Sequence, residues 1–336
     1  MPAPVSSPSN EATRASWLWR STAFGYRLPV PAASRPLSDR LLKLTAGQEA
    51  DGLRLQAHHS AWTTCLFAGE PTAAREHSEA GHRLYDPDRH RSHRLLYGGH
   101  DPGVCAGYLA AEAHWLLGYP DRALAIGNEA LTLAERIAHP FSLVLAQLFI
   151  AILHLDRREP ELALQRVVTA EAVPAEQWLA FFMEPRFLHG AALTEQGTFA
   201  EAIACLREVV AAGRGATCFV HTALPVWPKH CCGRANKKRP LAAVQQGLQV
   251  QNETGQGWWH AELHRLEGLA LVGLNRVEEG QSALNEALRV ARRQQAKSYE
   301  LRAVASLARM WGEQGRRAEA HELLAPGSPR ASTPPI

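Results

Sequence analysis

The sequence predicts an all-α chain built as a solenoid of stacked antiparallel helix pairs, and three observations predict it. Small residues recur in fixed slots at a near-constant period. Between them, apolar residues fall at three- and four-residue steps: in ALNEALRVARR, Leu284, Ala287, Leu288, Val290 and Ala291 share one helical face. Six of seven interruptions are followed five positions later by a small residue, where the next helix must pack closely on its partner.

Composition sets the outer limits. The chain has 336 residues, 46% apolar, with a net charge of +3. No apolar run approaches the roughly 18 residues of a membrane span. That charge is too small to mark a nucleic-acid surface. The opening MPAPVSSPSNEATR lacks the basic-then-apolar order of a secretory signal, so the chain is read as cytoplasmic. Six cysteines form no Cys-x-x-Cys pair, which suits reduced thiols better than a disulfide framework.

Residues 1–36 are rich in Pro, Ser and Ala without a stable period and are expected to be disordered. Leu37, Leu41, Leu42 and Leu44 then read as the second helix of a repeat lacking its first. Turn positions follow at Gly69, Gly118, Arg158, Gly197, Ala235, Asn275 and Gly315, with steps of 40, 39, 38, 40 and 40 after Gly118. Five residues past them stand Ala74, Ala123, Ala163, Ala202, Pro240, Gly280 and Ala320. Seven before stand Ala111, Ala151, Gly190, Gly268 and Ala308, where the first helix packs on its partner. In the unit GYPDRA, Gly118 ends one helix, Ala123 opens the next packing face, and Ala130 admits the following helix.

Tetratricopeptide repeats have a period of about 34 residues, so a period near 40 suggests the same helix pair with longer helices. The expected architecture is a right-handed α-solenoid of about six to seven tetratricopeptide-like pairs over residues 37–325. Residues 326–336, GSPRASTPPI with the preceding Pro, read as a disordered tail. The first step is longer because of an insert, YDPDRHRSHRLLYGGHDPG, whose Asp-Pro pairs and glycines oppose helix.

Residues 218–240, CFVHTALPVWPKHCCGRANKKRP, break the register with three cysteines, three prolines and a basic run where a helix pair is due. A nucleic-acid patch around Lys229, Lys237, Lys238, Arg239 and Trp227 is one reading, and a metal site at His230, Cys231 and Cys232 another. The preferred reading is a frameshift. Shifted by one base, VWPKHCCGRANKKRP can encode LAEALLRAGEQEAA, which places Gly at the slot of Ala235 and Ala at that of Pro240.

The stretches HRLYDPDRHRSHRLLYGGHDPGV, HWLLGYPDRALAIGNEALTLA, HPFSLVLAQLFIAILHLDRREPELAL, WWHAELHRLEGLAL and ARRQQAKSYELRAVASLARMWGEQGRRAEAHELLAP resemble the C-terminal tetratricopeptide region of bacterial class III adenylate/guanylate cyclase–predicted AAA-type ATPase fusion proteins. The resemblance covers residues 37–325 apart from 218–240. It implies a sensor or regulatory arm, detached or truncated from a longer gene. It does not carry over the enzymes, because the chain has no GxxxxGK[ST] phosphate loop. The function expected is therefore a non-catalytic protein-interaction scaffold. The alternative is the regulatory fragment of a cyclase–ATPase whose catalytic domains lie on another polypeptide or are lost.

No catalytic residue, cofactor or metal is expected. Asp86, Asp88, His90 and His93 sit among Arg89, Arg91 and Arg94, whose charge opposes a bound cation. Cys105 and His114 lie nine residues apart on one helix, some ~13 Å along its axis, and form no dyad. Trp258-Trp259 reads as a packing anchor. For a protein or peptide partner, the inner wall of first helices offers Tyr108, Glu112, Trp115, Phe187, Thr194, Glu262, Arg265, Arg302 and Arg309.

Overall fold

The computed structural model describes residues 31–174, 185–211 and 238–325, and the statements below concern those residues. They form helices and loops, with no strand among them. In chain order these are α1 (Pro31–Thr45), α2 (Asp51–Phe67), α3 (Pro71–Leu84), the single turn α4 (His93–Leu96), α5 (Pro102–Leu116) and α6 (Pro120–Ile137). Next come α7 (Pro140–Asp156), α8 (Pro160–Glu171), α9 (Pro185–Glu195), α10 (Phe199–Ala211) and α11 (Lys238–Thr254). The last are α12 (His260–Gly273), α13 (Val277–Arg293), α14 (Lys297–Glu313) and α15 (Arg317–Leu324). Successive helices pack on one another, so the chain is an all-α solenoid of helix pairs.

The turn register is visible in the backbone. Gly69, Gly118, Arg158, Gly197, Asn275 and Gly315 all adopt positive φ, between 65° and 90°. A left-handed residue turns the chain back and lets its neighbours' N–H groups reach the last carbonyls of the helix. At Gly69, for example, the Gly69 and Glu70 N–H groups bond Leu66 O and Cys65 O, each at 2.9 Å. Proline follows at the first helical position of α3, α6 and α8, where its missing N–H costs nothing.

The small slots are buried contact points. Ala74, Ala123, Ala163 and Ala202 are fully buried. A Cβ on Gly268 would lie 2.8 Å from the Gly280 carbonyl oxygen, and one on Gly81 2.2 Å from the Trp62 ring. Helix axes this close exclude even a methyl group. The slots at Ala235 and Pro240, and the frameshift reading of 218–240, concern residues whose side chains lie outside the described set. Helix α11 starts at Lys238 and buries Leu241 and Val244 in the position of a second helix.

At the N-terminus the structure moves an expected boundary. Residues 31–36, expected to be disordered, are helical within α1. Leu41 is fully buried against Ala57 and Tyr97, whereas Leu44 is 45% exposed and lies off the stripe. The Asp101-Pro102 pair of the insert is a helix start: Asp101 Oδ1 accepts from the N–H groups of Gly103 at 2.9 Å and Val104 at 3.2 Å.

The chain's later repeats return to its earlier ones. One apolar core runs from Leu55 of α2 to Tyr299 of α14. Trp258 meets Phe67 edge-on at 5.4 Å and stacks over Phe149 at 6.1 Å. The Gly257 N–H donates to Phe67 O at 2.7 Å, and Gln294 Nε2 donates to Gly257 O at 2.7 Å. Ser298 Oγ donates to Trp115 O. Trp258 and Trp259 are thus packing anchors, at 1% and 4% exposure. None of the described helices is long and apolar enough to cross a membrane.

Candidate functional site

This closure brings the inner wall of α5 and the end of α7 against α12 and α14. Tyr108, Glu112 and Trp115 lie at i, i+4 and i+7 of α5 and share its buried face. Tyr108 stacks on Phe149 at 4.3 Å. The Trp115 ring lies 4.8 Å under the Arg302 guanidinium, with Tyr299 edge-on to it at 5.4 Å. Arg302 Nη2 donates to Asp156 O at 2.8 Å and pairs with Asp156 Oδ1 at 3.1 Å, while Nη1 reaches Glu262 Oε1 at 3.4 Å. Arg265 grips Glu262 with two bonds of 2.6 and 2.8 Å and touches Ser306 Oγ at 3.3 Å.

Two groups are left short of partners. Neither carboxylate oxygen of the fully buried Glu112 has a hydrogen bond, and neither does the Tyr299 hydroxyl. Beside them is a cavity of about 50 Å³ lined by Asp156, Arg158, Glu195, Glu262, Tyr299 and Arg302.

The electrostatics follow from burial and pairing. Burial raises the Glu112 carboxyl well above its ordinary range, and the nearby Asp156 carboxylate raises it further. Burial also lifts Asp156 to about 6, against the pull of Arg302. Glu262 is equally buried, yet Arg265 and Arg302 outweigh that and hold it at about 2. Burial opposes the charge on Arg302, but Glu262 and Asp156 more than offset it and keep the guanidinium ionised. One side of the wall is therefore a satisfied ion-pair network. The other is the Glu112 carboxyl, unpaired and kept protonated by burial.

Of the nine inner-wall residues expected from sequence, Glu112, Trp115, Glu262, Arg265 and Arg302 converge here, with Tyr108 behind them. Phe187 is a buried packing residue, and Thr194 Oγ1 donates into its own helix, to Gly190 O at 2.7 Å. Arg309 is exposed and stays apart. It lies two turns, about 10 Å, further along α14 than the closure. Asp156, Arg158 and Tyr299 were missed. Tyr299 sits three residues before Arg302, on the same helical face, and that spacing is the signal that points to it.

The remaining sequence candidates have local roles. Asp86 Oδ1 accepts from the N–H groups of Asp88 and Arg89, and His90 Nδ1 from that of Asp86, so these side chains hold their own turn. His114 Nδ1 donates to Ala110 O at 2.8 Å and does not face Cys105. A larger groove of about 450 Å³ lies between α3 and α6, floored by Ala106, Gly107 and Ala110 and rimmed by Arg83, Arg122 and Glu129. Residues 230–232 lie outside the described set.

No family model matches the sequence. An uncharacterized protein of Rhizobium meliloti (strain 1021) is 25% identical over 275 residues, covering 75% of this chain and 24% of that protein. The chain thus spans about a quarter of the length of the curated relative it matches. Among solved structures, a Rap protein complexed with competence and sporulation factor aligns over 93% of this chain and 71% of its own, at 11% identity and a TM-score of 0.47. NprR in complex with its cognate peptide NprX aligns over 94% and 78%, at 11% identity and a TM-score of 0.47. The apo form of RapI aligns over 95% and 97%, at 10% identity and a TM-score of 0.44. The fold assignment rests on this chain's own helices and turns.

Proposed function

We propose that the chain is a non-catalytic scaffold that takes up a peptide or partner helix on its inner wall, with a basic side chain or free amino group seated against Glu112 and Asp156. The observation that carries this reading is the Glu112 carboxyl, fully buried with no hydrogen-bond partner. An unpaired buried acid costs stability, and a cation from a ligand removes that cost. Trp115 and Tyr108 supply the aromatic surface that anchors such ligands. The acids sit among arginines already committed to Glu262 and Asp156, and no nucleophile–base pair accompanies them.

The scaffold is read as the sensor or regulatory arm of a larger signalling protein. The 24% coverage of its bacterial relative supports a setting in a longer polypeptide. The cyclase–ATPase setting rests on the sequence resemblance, and co-purification with separately encoded cyclase and ATPase domains tests it.

Selection from a random displayed-peptide library on the purified chain tests the scaffold reading. Enriched peptides should share a Lys, an Arg or an amino-terminal requirement. Their affinity should fall tenfold or more in Glu112→Gln and hold in Arg122→Glu, on the rim of the larger groove. Ionised acids bind cations better, so affinity should rise as pH passes about 6, where Asp156 titrates. No enriched family, or peptides that bind Glu112→Gln unchanged, would refute the reading.

A further inference from the structure

A second polar cluster lies inside the first two repeats, behind the inner wall. His59 of α2, His100 of the insert and Cys105 of α5 are all buried, and one ring nitrogen of each histidine and the thiol sulfur lie within 4.8 Å of one another. The two Nε2 atoms face each other at 3.1 Å. Each ring is held at its other nitrogen by an oxygen: His59 Nδ1 by Gln56 Oε1, and His100 Nδ1 by the Gly98 carbonyl, both at 3.1 Å. Such a bond places the ring proton on Nδ1 and turns the Nε2 lone pair inward, the arrangement by which metal-binding histidines are oriented. Burial pushes the Cys105 thiol up to about 12, and the neighbouring Tyr108 and Thr63 side chains pull the other way.

We propose that His59, His100 and Cys105 bind one soft d10 cation, Cu(I) or Zn(II), through the two Nε2 atoms and the thiolate sulfur. Metal–nitrogen bonds of about 2.0 Å and a metal–sulfur bond of about 2.3 Å need the donors roughly 3.3–3.6 Å apart. The facing nitrogens already lie near that separation. Two imidazoles and a thiolate select such soft ions over magnesium or calcium. Binding replaces the S–H bond with a metal–sulfur bond and releases that proton to solvent, with no change of oxidation state. In the metal-free chain, turning over the Gln56 carboxamide moves one proton to Nε2 and gives a single His59–His100 hydrogen bond. The metal would tie α2, the insert and α5 together at the first and longest step of the register. It would also steady Tyr108, three residues from Cys105 on α5, at the edge of the inner wall.

The test uses the full chain, stripped with a chelator and titrated separately with Zn(II) and Cu(I) against a competing ligand, with Co(II) as optical probe. One equivalent should bind, raise the melting temperature and, with Co(II), give a thiolate-to-metal charge-transfer band. Affinity should fall tenfold or more in His100→Gln, and the band should vanish in Cys105→Ala. A Cys231→Ser/Cys232→Ser variant should bind as wild type does. Circular dichroism checks each fold, and His59→Gln carries the test if Cys105→Ala unfolds. The Zn(II) and Cu(I) affinities decide which ion the site prefers. Failure of both ions to bind at micromolar concentration overturns the proposal. So does binding that survives loss of Cys105, or binding lost with Cys231 and Cys232.

Discussion

At the scale of single residues, the inner wall contrasts two buried acids. Glu262 is ionised because two arginines grip it, whereas burial and the Asp156 carboxylate keep Glu112 protonated. A carboxyl whose folded pKa is raised favours folding most below its unfolded value and loses that contribution as pH rises through the folded value. For Asp156, moved from 3.8 to about 6, that loss falls between those two values. Glu112→Gln removes one member of the pair. The variant should match wild type near pH 5 and exceed it at pH 8 by on the order of 1 kcal/mol. Urea unfolding at the two pH values measures this. A variant destabilised equally at both would mean that the Glu112 carboxylate is paired and ionised.

At the scale of elements, what was legible in the sequence is what repeats. The six turn residues, the buried alanines after them and the small residues before them follow from one local geometry, so the register located them, including the non-glycines Arg158 and Asn275. His59–His100 and Glu262–Arg302 lie 41 and 40 positions apart, one repeat period, but the closure joins residues 146 to 190 positions apart, and no local pattern encodes it. Two left-handed non-glycines, Ala138 and Gln295, lie off the register. Ala138, the exposed C-cap of α6, adopts φ of 51°, imposed where the helix must end before Pro140. A left-handed alanine carries strain that glycine does not. Ala138→Gly should therefore raise stability by about 1 kcal/mol, while Ala134→Gly, fully buried within the same helix, should lower it by at least about 1 kcal/mol. Thermal melts of the two variants should shift in opposite directions. A drop for both would show that the Ala138 turn is not strained.

At the scale of the whole molecule, the solenoid is held closed by its own late repeats, and closure governs access to the inner wall. The cavity of about 50 Å³ is far below the roughly 300 Å³ of even a small ligand site. A peptide side chain can reach Glu112 only if α12 and α14 withdraw from α5 and α7. A close backbone contact to break is at Gly257, where a Cβ would lie 2.1 Å from the Ala68 carbonyl oxygen and 3.2 Å from the Gly69 nitrogen. Gly257 lies between α11 and α12, so a larger residue there parts the two ends without entering any helix pair. Gly257→Val should raise the radius of gyration in small-angle scattering and shift the emission of Trp258 and Trp259 to longer wavelength as they leave Phe67 and Phe149. The helical content should hold. A protein that binds only when open has its apparent affinity reduced by the fraction that is closed. Peptides selected on the wild-type chain should consequently bind Gly257→Val more tightly. Unchanged scattering would mean that the ends stay docked through their aromatic contacts, whereas an open chain that binds more weakly would make α12 and α14 part of the binding surface.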